Sequence, residues 1–401
     1  MKRAHALVMR GDALAGTIQR TTAGAVFEYD ASFRAAPRAA WDRGIAYRLP
    51  YDTARVETRG TNLHPFFAGL LPEGLRLEAL VRKVKTSKDD LLSLLIEAGD
   101  DCVGDISVVT DDTSSESTKS PLVDIAALPN LRFADILRES LAGKRGPEPT
   151  LPGVQDKVSA AMISVPLRAK GGQRAYILKL NPAKMPRLVE NEHFFLRMAR
   201  ACGLDVARAE LVRDREGAAG LLVERFDRIA TKAGLTKVHQ EDACQFLERY
   251  PADKYVLSHA DIARGITELA SAPIVEISKY LRLIAFSYLV ANGDLHAKNI
   301  SLRTLDGRVE LTPAYDLLSS LPYGDRTLAL AFDGRDKNLK RRGFVAFGER
   351  HGVRRAATVA MLDELCDVAP AWIARLEEVG LEPHKHADLV RVMNKRRAEL
   401  G

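Results

Sequence analysis

The chain has few cysteines and no long apolar run, and both absences narrow what it can be. Only 4 of its 401 residues are cysteines, and no two of them form a Cys-x-x-Cys pair. We therefore predict neither a zinc site nor a disulfide framework. The apolar run at residues 4–9 is too short for the core of a signal peptide, and no later run approaches about 18 residues. These features predict a cytoplasmic protein that does not bind membranes.

A strong charge imbalance is missing as well. Lysine and arginine number 59 against 53 aspartates and glutamates, a net charge of +6. This value permits an anionic partner, but surface solubility explains it equally well. Basic residues do gather in two places, and we interpret both clusters as solvated surface or, alternatively, as contacts to nucleic acid or phosphate. The clusters consist of Arg335, Lys337, Lys340, Arg341 and Arg342, and of Lys395, Arg396 and Arg397.

Changes in sequence pattern divide the chain into four parts. Residues 1–109 begin with short β-like runs and form an N-terminal subdomain, and residues 110–120 (TDDTSSESTKS) contain no apolar residue and predict a linker or exposed loop. Residues 121–229 are mostly β-like, and helical patterns dominate residues 230–401. The predicted fold class is therefore α+β. Among the predicted elements are strands at 175–180 and 221–226, helices at 189–202 and 277–291, and a hairpin of 300–303 with 309–311.

One set of residues occurs in the order that phosphoryl transfer requires. Transfer from ATP needs a lysine on the phosphates, oxygen ligands for magnesium and a carboxylate at the acceptor hydroxyl. Lys179 lies near the end of a β-like run, and Glu192, thirteen residues later in a predicted helix, can form an ion pair with it. Asp294 precedes Asn299 by five positions, the separation found in kinase catalytic loops, and Asp316 follows the predicted hairpin.

The chemistry of these side chains indicates their roles. Asp294 can accept the proton of the acceptor hydroxyl or orient that hydroxyl, while Asn299 and Asp316 supply the oxygen ligands that Mg²⁺ prefers. His296 and Lys298 lie in the same loop, where they either touch phosphate or brace the loop, and we favour bracing for His296. Each residue alone is a weak signal. Their joint order predicts a site for ATP and Mg²⁺ in a cleft between two lobes.

A further candidate is the segment at residues 150–157, which leads into the first strand of the β-like region. Kinases place a loop over the ATP phosphates at this point. Backbone amides beside Gly153 can cradle phosphate, which makes Thr150, Val154, Gln155 and Lys157 candidate ATP contacts. The segment has one glycine rather than three, so a simple turn is an equal alternative.

Nine segments spread along the chain resemble, in sequence and in order, those of the HipA-like serine/threonine kinases, the toxin components of bacterial toxin-antitoxin modules. The resemblance covers nearly the whole chain. It implies a bilobal protein-kinase-like fold preceded by a β-rich subdomain. The segments that occur in the family's order are FFAGLLPEG, GDDCVGDISV, LPGVQDK, ILKL, ENEHFFLRMARACGL, VERFDR, QEDACQ, GDLHAKNIS and TPAYDLLS.

The resemblance also implies roles for single residues. It puts Lys179 on the ATP phosphates, Glu224 and Phe226 at the adenine hinge, and Asp294 in the place of the catalytic carboxylate. An autophosphorylated serine of the family corresponds to Thr150 here. Threonine keeps the acceptor hydroxyl, so autophosphorylation stays possible, and an added phosphate would disfavour ATP binding by repulsion.

Partners follow from the resemblance alone. Members of the family phosphorylate aminoacyl-tRNA synthetases and are neutralised by a small helix-turn-helix antitoxin of the HipB type that binds operator DNA. Two alternatives stay open. One is a small-molecule phosphotransferase of the aminoglycoside or choline kinase type, whose loop has the same pattern but which does not need the N-terminal third. The other is an inactive kinase-like scaffold that acts only as a corepressor.

Overall fold

The structure is a computed structural model that describes residues 4–39, 41–60, 62–99, 101–110, 122–142, 162–170, 174–232 and 234–401. The candidate phosphate-loop residues Thr150, Gly153, Val154, Gln155 and Lys157 lie outside these ranges. The predicted boundaries near residues 109, 120 and 229 stay a prediction. The described ranges form an N-terminal unit and a body of two lobes, an α+β architecture as predicted.

The N-terminal unit is an antiparallel five-stranded sheet with helices packed on it, in strand order β6-β3-β2-β1-β7. Alternation along the strands buries side chains such as Ala6 and Val8 on one face, where Leu92 and Leu95 cover them. Its strands are β1 His5–Arg10, β2 Ala13–Arg20, β3 Gly24–Tyr29, β4 Gly44–Ala46, β5 Leu49–Pro50, β6 Arg55–Arg59 and β7 Ile106–Val109, and its helices are α1 Ala31–Ala35, α2 Pro65–Gly69, α3 Gly74–Val84 and α4 Leu91–Ala98.

The first lobe of the body is a second five-stranded sheet, in order β11-β12-β10-β9-β8, flanked by two helices. Strand β10 is central and pairs with β9 and β12, so Leu178 and Lys179 necessarily project from opposite faces. Leu178 enters the core beneath helix α5, which leaves Lys179 on the face of helix α6. The elements are β8 Leu122–Val123, β9 Ile163–Ala169, β10 Ala175–Leu180, β11 Ala209–Arg213, β12 Ala219–Glu224, α5 Phe133–Ala142 and α6 Leu188–Ala201.

The second lobe is mainly helical and is built around helix α9. Ile277, Tyr280, Ile284 and Phe286 of this helix are fully buried, while its exposed positions, such as Val275 and Lys279, lie in its N-terminal half. The helices of this lobe are α7 Ala243–Phe246, α8 His259–Leu269, α9 Pro273–Leu289, α10 Arg341–Arg350, α11 Arg355–Ile373 and α12 Pro383–Leu400. Its strands are β13 Arg228–Thr231, β14 Gly234–Lys237, β15 His239–Asp242, β16 Ser301–Leu305 and β17 Arg308–Leu311.

Short 3₁₀ helices complete the fold, and one of them carries part of the candidate catalytic loop. In the stretches that the structure describes, no helix has both the length and the apolar character needed to cross a bilayer. The 3₁₀ helices are Ile125–Asn130, Pro251–Asp253, Ala297–Asn299, Leu321–Tyr323 and Leu376–Val379.

Candidate active site

A buried lysine between two carboxylates lies at the centre of the candidate site. Nζ of Lys179, on β10, donates to Oε1 of Glu192, on α6, at 2.6 Å, and it also donates to Oδ1 of Asp316. Lys179 is 5% exposed and Glu192 is 1% exposed. Burial alone would lower the pKa of Lys179, but the two carboxylates raise it above its usual range. The ammonium therefore keeps its charge inside the protein, which a phosphate-binding lysine requires.

Helix α6 is held in place by a side chain that sequence reasoning missed. Asn191 is fully buried and makes two hydrogen bonds to the backbone of Ser319. Its Nδ2 donates to the Ser319 carbonyl at 2.9 Å, and its Oδ1 accepts from the Ser319 amide at 2.9 Å. Ser319 lies three residues after Asp316, and Asn191 precedes Glu192. This pair of bonds therefore fixes the backbone near Glu192 relative to the backbone near Asp316. Its local sequence gave no signal, because Asn191 stands between Glu190 and Glu192 near the start of the helix, where a solvated polar residue is the ordinary expectation.

Asp316 lies in a turn whose backbone is set by its neighbours. Its φ is +54°, in the left-handed region that aspartate tolerates better than most residues. The preceding Tyr315 is anchored because its hydroxyl donates to the Lys298 carbonyl at 2.8 Å and contacts Oγ of Ser301 at 2.7 Å. These contacts anchor the residue before Asp316 to the candidate catalytic loop and to the first residue of β16.

Asp294 and Asn299 are joined within one loop, as their spacing predicts. Nδ2 of Asn299 donates to the backbone carbonyl of Asp294 at 2.9 Å, so the amide oxygen of Asn299 is directed away from that carbonyl. The Asp294 carboxylate is 3% exposed and accepts a hydrogen bond from the hydroxyl of Tyr255 at 3.3 Å. Sequence reasoning missed Tyr255, and nothing in its local sequence marks it.

Lys298 braces the catalytic loop. Its Nζ donates to Oδ2 of Asp242 at 2.6 Å and to the Gly69 carbonyl of the N-terminal unit at 3.4 Å. Burial would lower the pKa of Lys298, whereas Asp242 and Glu73 raise it above the usual range. Asp242 also caps helix α7 in a capping box with Gln245. A D-x-x-Q pattern before a helix was the signal that could have found it.

Lys179, Lys298, Asn299 and Asp316 line a cavity of about 660 Å³ between the lobes. Its volume suits a nucleotide-sized ligand. Apolar side chains of the first lobe form one wall, and Glu224 at the end of β12 and Phe226 beyond it, the residues predicted for the adenine hinge, lie beside it. Asp294 itself does not line this cavity. The residues that line the cavity include Pro166, Ile177, Lys179, Val223, Glu224, Phe226, His296, Lys298, Asn299 and Asp316.

The oxygen donors of Asn299 and Asp316 fit a magnesium ion. Both residues line the cavity, and a neutral amide with one carboxylate is the sparse protein ligand set that Mg²⁺ uses when phosphates and waters complete its shell. In the ranges given above, no group of three or more His, Cys, Asp or Glu side chains could hold a metal by itself. The donor set therefore suits a metal that arrives with a nucleotide.

The N-terminal unit forms part of the cavity wall, which sequence reasoning did not anticipate. Residues of α3 and of the turn before it, including Pro72, Glu73 and Arg76, line the same cavity as Lys179. The carboxylate of Glu73 pairs with Nζ of Lys254 at 2.8 Å, and Nε2 of Gln245 donates to the Phe66 carbonyl at 2.8 Å. The unit is thus joined to the catalytic lobe by polar contacts.

Comparison with known proteins gives consistent matches over both parts of the chain. Residues 6–109 match the family model of the HipA N-terminal domain, and residues 150–373 match that of the HipA-like C-terminal domain. A Sinorhizobium fredii protein named "Putative kinase Y4mE" is 32% identical over 332 residues, covering 78% of this chain and 79% of the relative.

A further relative and a similar solved structure come from Shewanella oneidensis. Its "Serine/threonine-protein kinase toxin HipA" is 27% identical over 358 residues, covering 81% of this chain and 80% of the relative. A solved complex of HipA, HipB and operator DNA contains a chain that superposes with a TM-score of 0.74 at 22% identity, covering 98% of this chain and 96% of that one. The likeness to this structure extends over both lobes and the N-terminal unit.

Proposed function

Because this chain belongs to the HipA-like family, we propose that it is an ATP-dependent serine/threonine protein kinase. The observation that carries the proposal is the buried contact of Lys179 with Glu192 and Asp316 inside the cleft. An ion pair of a strand lysine with a helix glutamate is the arrangement by which kinases aim an ammonium at ATP phosphates. The named kinase relatives support the same activity.

The proposed mechanism assigns one task to each part of the cleft. Ile177 and Val223 cover the adenine, whose polar edge meets the backbone at Glu224 and Phe226. Lys179 neutralises phosphate charge. Bound Mg²⁺, held by Asn299 and Asp316, would supply further neutralisation of the phosphates.

Transfer itself then depends on Asp294. The acceptor oxygen bonds to the γ-phosphorus as the bond from that phosphorus to the ADP oxygen breaks. The Asp294 carboxylate accepts the proton that the acceptor hydroxyl loses. His296 and Lys298 keep the loop in place; the side chain of Lys298 does so through Asp242.

We further propose a HipB-type helix-turn-helix antitoxin, and through it operator DNA, as partners. The complex that contains the structural neighbour supports this assembly. Part of the first basic cluster lies beside the C-terminal end of helix α12, the helix that carries the second cluster, because Lys340 pairs with Glu399 at 3.0 Å and Arg341 donates to the Leu400 carbonyl at 2.7 Å. The structure corrects the interpretation of Arg396 as a solvated residue or a contact to nucleic acid. Arg396 is 8% exposed and donates to the backbone of Tyr288 and Arg326, so it stabilises the fold and cannot contact DNA.

The acceptor is proposed to be a serine or threonine of the translation apparatus, such as an aminoacyl-tRNA synthetase. Thr150 is proposed as a site of autophosphorylation. Both proposals come from the family resemblance, and one experiment can test them together with the enzymatic activity.

The test incubates the purified protein with Mg-ATP, alone and with a cell extract, and maps phosphosites by mass spectrometry. Asp294→Ala is the inactive control, since it removes the proposed proton acceptor. We expect labelling of Thr150 or of a synthetase by the intact protein only. Turnover of ATP with small hydroxylated molecules alone would favour a small-molecule kinase, and no labelling at all would favour a corepressor scaffold.

A further inference from the structure

An ion pair from the N-terminal unit reaches the edge of the catalytic loop. Glu73 is the residue before helix α3, and its side chain makes no capping bond to that helix. Its carboxylate instead accepts from Nζ of Lys254 at 2.8 Å, across 181 residues of sequence. The Lys254 side chain is 13% exposed and that of Glu73 is 33% exposed, so water screens this pair only in part.

Lys254 and the residue after it both contact the catalytic loop. The Lys254 carbonyl accepts a hydrogen bond from the amide of Ala297 at 3.1 Å. The hydroxyl of Tyr255 donates to Oδ1 of Asp294 at 3.3 Å, and its ring meets the ring of His296 edge-on at 5.1 Å. A two-residue segment thus contacts the loop at three points.

We propose that Glu73 and Tyr255 are positioning residues for phosphoryl transfer, and that the N-terminal unit is thereby a working part of the active site. The Glu73 carboxylate fixes the Lys254 side chain, and this restricts the backbone of Lys254 and of the adjacent Tyr255. The tyrosine hydroxyl then fixes the orientation of the Asp294 carboxylate toward the acceptor hydroxyl. The inference rests on the proposed kinase function, and it adds residues to which the family resemblance assigned no role.

The physical reason is that a carboxylate has a freely rotating end. Asp294 must aim one oxygen at the acceptor hydroxyl, and a hydrogen bond on Oδ1 limits the rotamers that the carboxylate can adopt. Misplacement of a catalytic group by about 1 Å can cost up to about a hundredfold in rate. The Tyr255 ring packs edge-on against His296, which limits the positions that its hydroxyl can occupy.

A purely structural role for Glu73 predicts a different result from a positioning role. A structural ion pair would change stability and nucleotide affinity together. A positioning pair changes the rate of transfer at saturating Mg-ATP while the affinity for nucleotide stays the same, since Tyr255 contacts Asp294 rather than the hinge or Lys179.

The experiment compares the full-length wild type with Glu73→Gln, Tyr255→Phe and the double variant. Initial rates are measured at saturating Mg-ATP with the acceptor that the wild type labels, and ADP affinity is measured by calorimetry. We expect Tyr255→Phe to slow transfer by roughly tenfold to a hundredfold with an ADP affinity within about twofold of wild type, and Glu73→Gln to slow transfer by somewhat less. The double variant should be no slower than Tyr255→Phe, because both changes act through the same hydroxyl.

Glu78→Gln is the matched control, since Glu78 lies on helix α3, which Glu73 precedes, and its carboxylate pairs with Lys88 at 3.7 Å within the N-terminal unit. It should keep the wild-type rate, and Glu73→Asp should recover part of the rate lost in Glu73→Gln. Multiplicative losses in the double variant, or a parallel loss of ADP affinity, would overturn the inference. An inactive wild type would instead refute the proposed function, which keeps the two failures distinct.

Discussion

Glu192 and Asp316 approach the same ammonium from two sides. Oε1 of Glu192 lies 2.6 Å from Nζ of Lys179, and Oδ1 of Asp316 contacts the same nitrogen. The pKa of Glu192 is raised to about 7, because burial and, to a smaller extent, the Asp316 carboxylate raise it more than Lys179 lowers it. One cation thus holds two carboxylates that come from different lobes. Any change at Lys179 should therefore affect both the proposed phosphate contact and the contact between the two lobes.

We expect Lys179→Met to reduce the transfer rate by roughly a hundredfold to a thousandfold, because a preorganised charge on the phosphates is lost. Methionine fills a similar volume but leaves Glu192 and Asp316 without their shared cation. The measurement is the initial rate of phosphorylation at saturating Mg-ATP. Lys170→Met, at an exposed lysine next to β9 in the same lobe, should retain full activity. A Lys179→Met variant with near wild-type activity would refute the assigned phosphate contact.

Asp316→Asn should raise the Mg²⁺ concentration needed for half-maximal rate by at least about tenfold. The substitution preserves the size of the side chain but removes the negative charge that favours a hard divalent cation. The check is a titration of the rate with Mg²⁺ at fixed ATP. Asp306→Asn makes the same chemical change at the exposed hairpin tip and should leave the titration unaltered. Equal curves for the wild type and Asp316→Asn would remove Asp316 from the metal site.

His239 links the pH dependence of stability to the joint between the units. Its Nδ1 lies 3.0 Å from Asp105 of the N-terminal unit and its Nε2 lies 2.9 Å from Glu241. Burial lowers the pKa of His239, but the two carboxylates outweigh it and raise the pKa to about 9. Between about pH 6.5 and pH 9, His239 therefore keeps its proton in the folded protein, whereas in the unfolded chain, where its pKa is near 6.5, it has lost it.

The resulting stabilisation is complete below about pH 6.5 and is lost as the pH rises toward 9. Its upper bound is about 3 kcal/mol from the shift in pKa. Urea unfolding at pH 6 and pH 9 should show a larger loss for the wild type than for His239→Gln. His384→Gln, at a histidine whose side chain is 73% exposed, should follow the wild type. If His239→Gln and the wild type lose the same stability over this range, His239 is not the titrating group.

Local patterns predicted much of the fold. Strand β10 has its predicted bounds, and each end of helix α6 lies within one residue of its predicted position. Both elements could be predicted because alternation and helical periodicity are patterns among residues close together in sequence. The hairpin turn at Asp306-Gly307 adopts positive φ angles of 48° and 76°, as its sequence indicates. Helix α9 begins at Pro273, before the predicted start at 277, because proline is suited to the first turn.

Contacts between distant segments were outside the reach of sequence patterns. The spacing of Asp294 and Asn299 fits within one loop and could be read directly. Glu73 meets Lys254, and Tyr255 meets Asp294, only because the N-terminal unit packs against the catalytic lobe. No periodicity or turn signal encodes such a meeting, since the partners are brought together by packing of separate cores.

Asp227 offers a test of how strongly the N-terminal unit is joined to the body. It is 4% exposed, pairs with Arg225 and Arg228 at 2.7 Å each, and accepts from the Gly104 amide at 3.1 Å. Burial would raise the pKa of Asp227, but the arginines lower it below its usual range. Asp227→Asn should cost roughly 3–5 kcal/mol of unfolding free energy, because it leaves buried guanidinium groups with too little compensating charge.

The measurement is urea unfolding of the full chain at pH 7, followed by circular dichroism. Glu57→Gln breaks the exposed pair of Arg55 and Glu57, whose side chains are 55% and 66% exposed, and should change stability by less than about 0.5 kcal/mol. A two-step transition in Asp227→Asn would indicate that the N-terminal unit now unfolds separately. If Asp227→Asn costs no more than Glu57→Gln, the buried cluster does not hold the two parts together.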